Sequence, residues 1–478
     1  MKIFITSLIA STILLLAVFT VQAQTTPLRS HYPDTLWSET DTFYVKSSTM
    51  ERPFPFTTTQ GDTVDLGTDG YEGMSFRVYT TTDTLTIPYV NAPFIQHAYI
   101  PIASPNSSII YKLRFNLQSS VFSDDYIEAN TGQASFSIPE TYELANIILY
   151  LSDCSEKTGN YPDTEYSQKV VQHFAPFKNH AIVQLLNQQC SEERPYHPYY
   201  NFRENSICYT FEGDKLVYGN PYTHVMGDWQ GVQGSLFREF AYLVQDFATQ
   251  SRFREFYQEN AAYYQALEQR QEELMPVRQM WDWLEAEFPI KIQSYKVFFS
   301  PLIGGSHSTQ RFYHGSYRDC KFYEVAMFVN GPESVDQRAE YSEQRKEGLL
   351  SGVVFTEIDH NYVNPTTTKH RNKVNSIFDD REIWTKPGGD TDNYTTPSAV
   401  FNEYMTHALF CLYVQDTYDE ETVGYVIDAR ENLMTERRHY IKFAQFNEKL
   451  AELYKSKAAD ETVADLYPKI LEWAESVE

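Results

Sequence analysis

Basic residues are scarce in this chain. Lys and Arg number 39 against 64 Asp and Glu, for a formal net charge of −25. Such a surface repels polyanions, so neither nucleic acid nor anionic lipid is an expected partner, while cations and metal ions are tolerated. Cysteine is scarce too. The five residues Cys154, Cys190, Cys208, Cys320 and Cys411 include no C-x-x-C pair, which argues against a Cys-type zinc site. Their odd count leaves one or two disulfides, or buried free thiols, both open. Beyond the N-terminus no stretch approaches the roughly 20 apolar residues that cross a bilayer, so no transmembrane segment is expected in the mature chain. Internal repeats and low-complexity linkers are lacking. Gly304-Gly305-Ser306-His307-Ser308 does not have the spacing of a G-x-S-x-G nucleophile elbow, and Gly388-Gly389-Asp390 lacks the Lys-Ser/Thr of a phosphate loop. The pairs Asp379-Asp380 and Asp390-x-Asp392 lack the remaining ligands of a calcium loop.

What is present is an ordinary globular balance, 42% apolar and 22% charged, which excludes a disordered or collagen-like chain. A length of 478 residues allows two or three domains. Aromatic residues reach 15%, with 36 Tyr and 31 Phe, a composition suited to broad cores or to contact surfaces for peptides and sugars. At the N-terminus Lys2 precedes an apolar run through Ile9 and residues 14–16 to Val21-Gln22-Ala23. This reads as a signal peptide over 1–23, with no Cys after it to take a lipid, and predicts an exported protein, periplasmic or extracellular.

Two textures follow. Residues 24–135 read as a β-rich N-terminal domain: Leu113, Phe115 and Leu117 alternate with Lys112, Arg114 and Asn116, and Leu85 and Ile87 alternate with Thr84 and Thr86. Turn signals lie at Gln60-Gly61-Asp62, Gly67-Thr68-Asp69-Gly70 and Ser104-Pro105-Asn106. From residue 136 to 478 helical spacing dominates. A helix is predicted from Pro139-Glu140 through Leu144, Ile147, Ile148 and Leu151, and another over 237–248 through Phe237, Phe240, Ala241, Val244, Phe247 and Ala248. More helix follows over 256–284, then strands at 295–300 and 322–329, then amphipathic helix over 431–478.

The segment Gly352-Val353-Val354-Phe355-Thr356-Glu357-Ile358-Asp359-His360 carries the most specific signal. In H-E-x-x-H a helix sets two His at i and i+4 to bind zinc, and the Glu activates the metal-bound water. Here Glu357 and His360 keep their places and Thr356 stands where the first His belongs, giving T-E-x-x-H. A second reading stays open at this point: Thr356-x-x-Asp359 is also a capping box, with Thr356 as the N-cap of a new helix. A third zinc ligand is available in Glu403, 43 residues after His360 and just beyond the helix opener Pro397-Ser398. His407 lies one turn further on.

From about residue 136 to 450 the chain resembles a family of secreted bacterial proteins of unknown function related to gluzincin-type metallopeptidases. The resembling pieces are the stretch beginning Ile138-Pro139-Glu140, the helix with Phe237-Arg238-Glu239-Phe240, the strand ending Ser300-Pro301-Leu302, the motif from Glu357 and His360 to Val363-Asn364-Pro365, and the helix with Glu403. Together with the element pattern, the resemblance implies an α+β fold: a zincin-like, mostly helical domain with a small mixed sheet, preceded by the β-rich segment. It makes Glu357 the general base, His360 and Glu403 zinc ligands, and a peptide or protein the substrate. Thr356 departs from the pattern, because a neutral hydroxyl is a poor zinc ligand. His307 offers a replacement donor if its Gly-rich loop folds over the cleft, and is otherwise an exposed loop residue. Asp359, His407 and His370 are weaker candidates.

The expectation is therefore an exported metallopeptidase homologue with an altered site, either zinc-dependent or degenerate. Its rivals are a non-catalytic peptide- or glycan-binding protein and a cell-surface structural component.

Overall fold

A computed structural model describes residues 35–46, 51–56, 63–65, 76–87, 95–116, 120, 122–190, 195–218, 221–222, 225, 235–316 and 319–477. The leader expected over 1–23 and the turns expected at residues 60–62 and 67–70 lie outside them. The chain is a mixed α and β structure dominated by helix, and among the described residues no helix is long and apolar enough to cross a membrane.

The N-terminal part forms two four-stranded sheets. The alternation at 112–116 belongs to Ser107–Asn116, which pairs with Ile95–Ser104 across the turn at Pro105-Asn106; that at 84–87 belongs to Thr84–Ile87, beside Phe76–Tyr79. Period-two patterning leaves one apolar face on each sheet, and the two faces meet. Phe43 from one sheet lies against Tyr111 from the other with ring centroids 4.5 Å apart, both fully buried.

The larger part is built around a third four-stranded sheet, of order Ser308–Ser316, Asp319–Asn330, Ser294–Ser300, Gln133–Ser137. Ser294–Ser300 runs parallel to both of its neighbours, whereas Ser308–Ser316 is antiparallel to Asp319–Asn330 and forms an edge. The strand Gln133–Ser137 spans the boundary drawn at 135/136, so this sheet reaches back into the segment read as N-terminal. The helix Glu140–Leu151 is buried on nearly all sides, as its run of apolar residues without a polar face requires.

Three local readings change. Ser308–Ser316 is a strand where the sequence suggested only a Gly-rich loop, because Thr, Gln, Arg and His break up its apolar alternation. The helix expected over 237–248 is split at Phe240 into Leu236–Glu239 and Ala241–Gln250. Thr356 is not a cap: it sits inside the 27-residue helix Glu343–Lys369, whose N-cap is Ser342, accepting from the Arg345 backbone N–H at 3.2 Å.

That motif helix packs on a second long helix, Pro397–Thr417, opened by the Thr396 cap and Pro397. Phe355 stacks on Tyr413 between them, at 4.9 Å. Gly352 permits the close approach. A Cβ there would lie 2.1 Å from Arg430 Nη2 and 2.7 Å from the Phe410 ring, so the position accepts the roughly 1 kcal/mol helix penalty of glycine in return for contact. The C-terminal helices Phe443–Ser456 and Val463–Glu475 cover the far side through Phe446 and Tyr467 against Phe401. Cys154 and Cys190 form a disulfide, while Cys208 and Cys411 are buried free thiols.

Candidate active site

The motif helix, the second long helix and the edge strand Ser308–Ser316 enclose a cavity of about 360 Å³. Its lining brings together Glu357, His360, Glu403 and His307, with Thr309, Arg311, Asn364 and Tyr394. Glu357, His360 and Asn364 share one helix face because they are spaced by three and four residues. The His307 loop is no free surface turn: the backbone N–H groups of Gly304, Gly305 and Ser306 all donate to the buried Asn160 Oδ1, at 3.1, 3.0 and 3.2 Å. That clamp brings His307 to the cavity wall.

His360 Nε2 lies 3.3 Å from Glu403 Oε1, and its Nδ1 lies 3.2 Å from Asn364 Oδ1. Burial alone would push this imidazole down, but the bond to Glu403 and the charges of Glu403 and Glu357 outweigh it and raise its pKa. With an oxygen acceptor at each ring nitrogen, the arrangement suits an imidazolium. Burial opposes the ionised form of Glu403 too. The Arg438 charge and the bonds from His360 and His407 nevertheless hold this carboxyl well below the usual range.

Arg438 is the residue that sequence reasoning missed. It follows the π-type turn Leu433–Arg437, and its Nη2 donates to Glu403 Oε2 at 2.8 Å and to the Tyr394 hydroxyl at 3.0 Å, while Nη1 reaches His407 Nε2. On the other side of His407, Arg430 Nη1 lies 2.9 Å from Nδ1. Burial and the two arginine charges push His407 down to about 3, so it is neutral. Both of its nitrogens face guanidinium groups rather than an open metal position.

Thr356 turns its hydroxyl back onto its own helix, donating to the Gly352 and Val353 carbonyls, each at 3.1 Å. Glu357 is raised to about 7, chiefly by burial with the Glu403 and Glu204 charges adding to it. Asp359 points elsewhere, fully buried with no partner on either oxygen, and burial drives its pKa well up. His370 ends the motif helix against Tyr467 and is not among the cavity-lining residues.

His360 Nε2 and Glu403 Oε1 have the separation of two ligands on one tetrahedral ion, about 3.3 Å. The set stops there. Among the described residues no group of three or more His, Cys, Asp or Glu is arranged to hold a metal ion. The other Glu403 oxygen is taken by Arg438, a cation supplied by the chain itself. Of the described residues here, His360 and Glu403 thus offer two zinc donors on one cavity wall, with Arg438 on the remaining Glu403 oxygen.

On the opposite wall Arg311 fastens the edge strand to the motif helix, with Nε donating to Asn361 Oδ1 at 2.6 Å and Nη2 to the His360 carbonyl at 3.0 Å. Strand period would have placed His307, Thr309 and Arg311 on one face had the strand been legible. No protein-family model, curated protein or solved structure matches the chain.

Proposed function

We propose that this chain is an exported protein with a zincin-like cleft that has lost its catalytic metal and binds a peptide without hydrolysing it. The observation that carries the reading is the Arg438–Glu403 pair: a guanidinium occupies the carboxylate that a third zinc ligand would offer, while Thr356 supplies no donor in place of the first. The signal-like N-terminus and the Cys154–Cys190 disulfide support export.

The ligand class follows from the edge strand. Ser120 Oγ donates to the Tyr313 carbonyl at 3.5 Å, which covers the outer edge at Tyr313 and, at period two, turns the main-chain groups of Arg311 and Thr309 to that same edge. An extended peptide adds to such an edge by main-chain hydrogen bonds. Among the described residues Tyr394 is the one Phe, Tyr or Trp on the cavity lining and its hydroxyl is bound to Arg438, which favours a peptide over a glycan.

One arrangement favours a peptidase instead: Glu357, His360 and Glu403 do share one cavity, and a carboxyl near 7 suits a general base. Elemental mass spectrometry of residues 24–478, purified without a His tag beside Glu403→Ala, separates the two. The binding reading expects no stoichiometric zinc after zinc is added back, and peptide binding unchanged by chelator. Stoichiometric zinc lost in Glu403→Ala, with peptide hydrolysis, would overturn it.

A further inference from the structure

Resting on the peptide-binding reading, we propose that the edge-strand wall of the cleft is a carboxylate receptor centred on Arg311, so that the bound peptide presents either its free C-terminal carboxylate or an acidic side chain there.

Arg311 differs from the cations of this domain that are matched to carboxylates. Arg438 meets Glu403 at 2.8 Å, Arg270 meets Asp336 at 2.7 Å and Arg203 meets Glu204 at 3.5 Å. Arg311 spends Nε and Nη2 on two neutral oxygens, the Asn361 amide and the His360 carbonyl, and among the described residues it pairs with no carboxylate. Among the described residues its remaining guanidinium N–H groups have no partner, and Arg311 lines the cavity in a chain where acidic residues outnumber basic ones 64 to 39.

Two further groups on the same wall are unsatisfied. Thr309 Oγ1 and His307 Nδ1 are buried without a hydrogen-bond partner, and both residues line the cavity. A buried polar atom without a partner costs about 1–3 kcal/mol. Residues 307, 309 and 311 recur at the strand period, so the three groups form one row beside the peptide-binding edge. The Arg311 fork and the Thr309 hydroxyl are donors, which matches the two acceptor oxygens of a carboxylate. Burial and the Arg203 charge hold His307 down at about 3, so its ring is neutral and does not compete for the anion. Across the cavity Glu403 is already neutralised by Arg438 and His360, which leaves room for a second carboxylate.

The test is calorimetric titration of residues 24–478 with an N-acetylated tetrapeptide library of mixed neutral sequence, prepared as free acids, as C-terminal amides, and as amides carrying one glutamate. Free acids are expected to bind at least tenfold more tightly than neutral amides. If the glutamate amides recover that affinity, the carboxylate is read wherever it sits along the chain; if they do not, the C-terminus is required. Arg311→Gln is expected to abolish the preference, weakening free-acid binding at least fivefold more than amide binding. Arg311→Lys should restore part of it, and Thr309→Val, which leaves the Arg311 anchors intact, should cut free-acid affinity about threefold. Equal affinity for acids and neutral amides would overturn the receptor and spare the peptide-binding reading, as would an equal loss for both in Arg311→Gln. No binding by any arm would overturn both. Should Arg311→Gln fail to fold, the wild-type comparison and Thr309→Val decide the matter.

Discussion

Arg438 Nη2 donates to Glu403 Oε2 at 2.8 Å, with the carboxylate almost wholly buried and the guanidinium mostly so. The two residues are 35 positions apart on different helical segments, so the pair ties the turn after Asn432 to the middle of the second long helix. Arg438 extends the same contact to Tyr394 and His407. The chemistry available in the cleft depends on that pair.

Removing one partner leaves the other buried and charged. Arg438→Met is therefore expected to cost about 3–5 kcal/mol in urea unfolding. In a Glu403→Gln background the same change should cost far less, and the coupling measured by a double-mutant cycle reports the interaction. A neutral Arg438→Met would contradict the geometry.

Thr356→His restores the missing imidazole position but leaves Arg438 bound to Glu403. Alone it is expected to gain little zinc. Combined with Arg438→Met it should take up close to one equivalent, because the third ligand is freed as the first is supplied. Metal content after dialysis, read by elemental mass spectrometry, checks both proteins. No gain in either would count against this placement of the site.

Glu357 titrates near 7 in the fold against an ordinary value of 4.5. A carboxyl raised in the native state is neutral and without penalty below the unfolded value. It destabilises progressively as pH rises to the folded value. Glu357→Gln should change nothing at pH 4 and add up to about 3 kcal/mol at pH 8. His360, raised by Glu403, pulls in the same direction, since its contribution is full below its unfolded value and is lost as pH rises through the folded one. His307 and His407, both held down to about 3, pull wild-type stability the other way, so the check is the difference between Glu357→Gln and wild type, which should grow from pH 4 to 8.

Gly352→Ala gains about 1 kcal/mol of helix propensity, yet places a methyl 2.1 Å from Arg430 Nη2 and 2.7 Å from Phe410. Overpacking of this kind typically costs 1–3 kcal/mol. The net expectation is a lower melting temperature, with the Arg430–His407 contact displaced. A rise in melting temperature would mean that the two long helices do not approach at this point.

Much of the helical framework was legible because its signals are local. The spacing of Leu144, Ile147, Ile148 and Leu151 gave one helix, and residues 295–300 and 322–329 gave two strands of the mixed sheet. The three- and four-residue intervals from Glu357 to His360 to Asn364 place those side chains on one face of any helix that contains them. Thr356 was ambiguous for a local reason too, since four residues cannot tell a helix start from a helix middle; only the Ser342 cap, fourteen residues earlier, decides it.

What the sequence determined by itself is therefore the backbone period and the identity of the groups on the motif helix. The tertiary structure decided what those groups face. Arg438 reaches Glu403 only when the turn 433–437 is folded against Pro397–Thr417, and the His307 loop becomes a cavity wall only when Asn160 binds three of its N–H groups. Arg311 comes to the cleft wall, without a carboxylate partner among the described residues, through the pairing of Ser308–Ser316 with Asp319–Asn330. Each is a long-range contact, which no local pattern encodes, because the free energy that selects it comes from burial and charge neutralisation in the assembled fold.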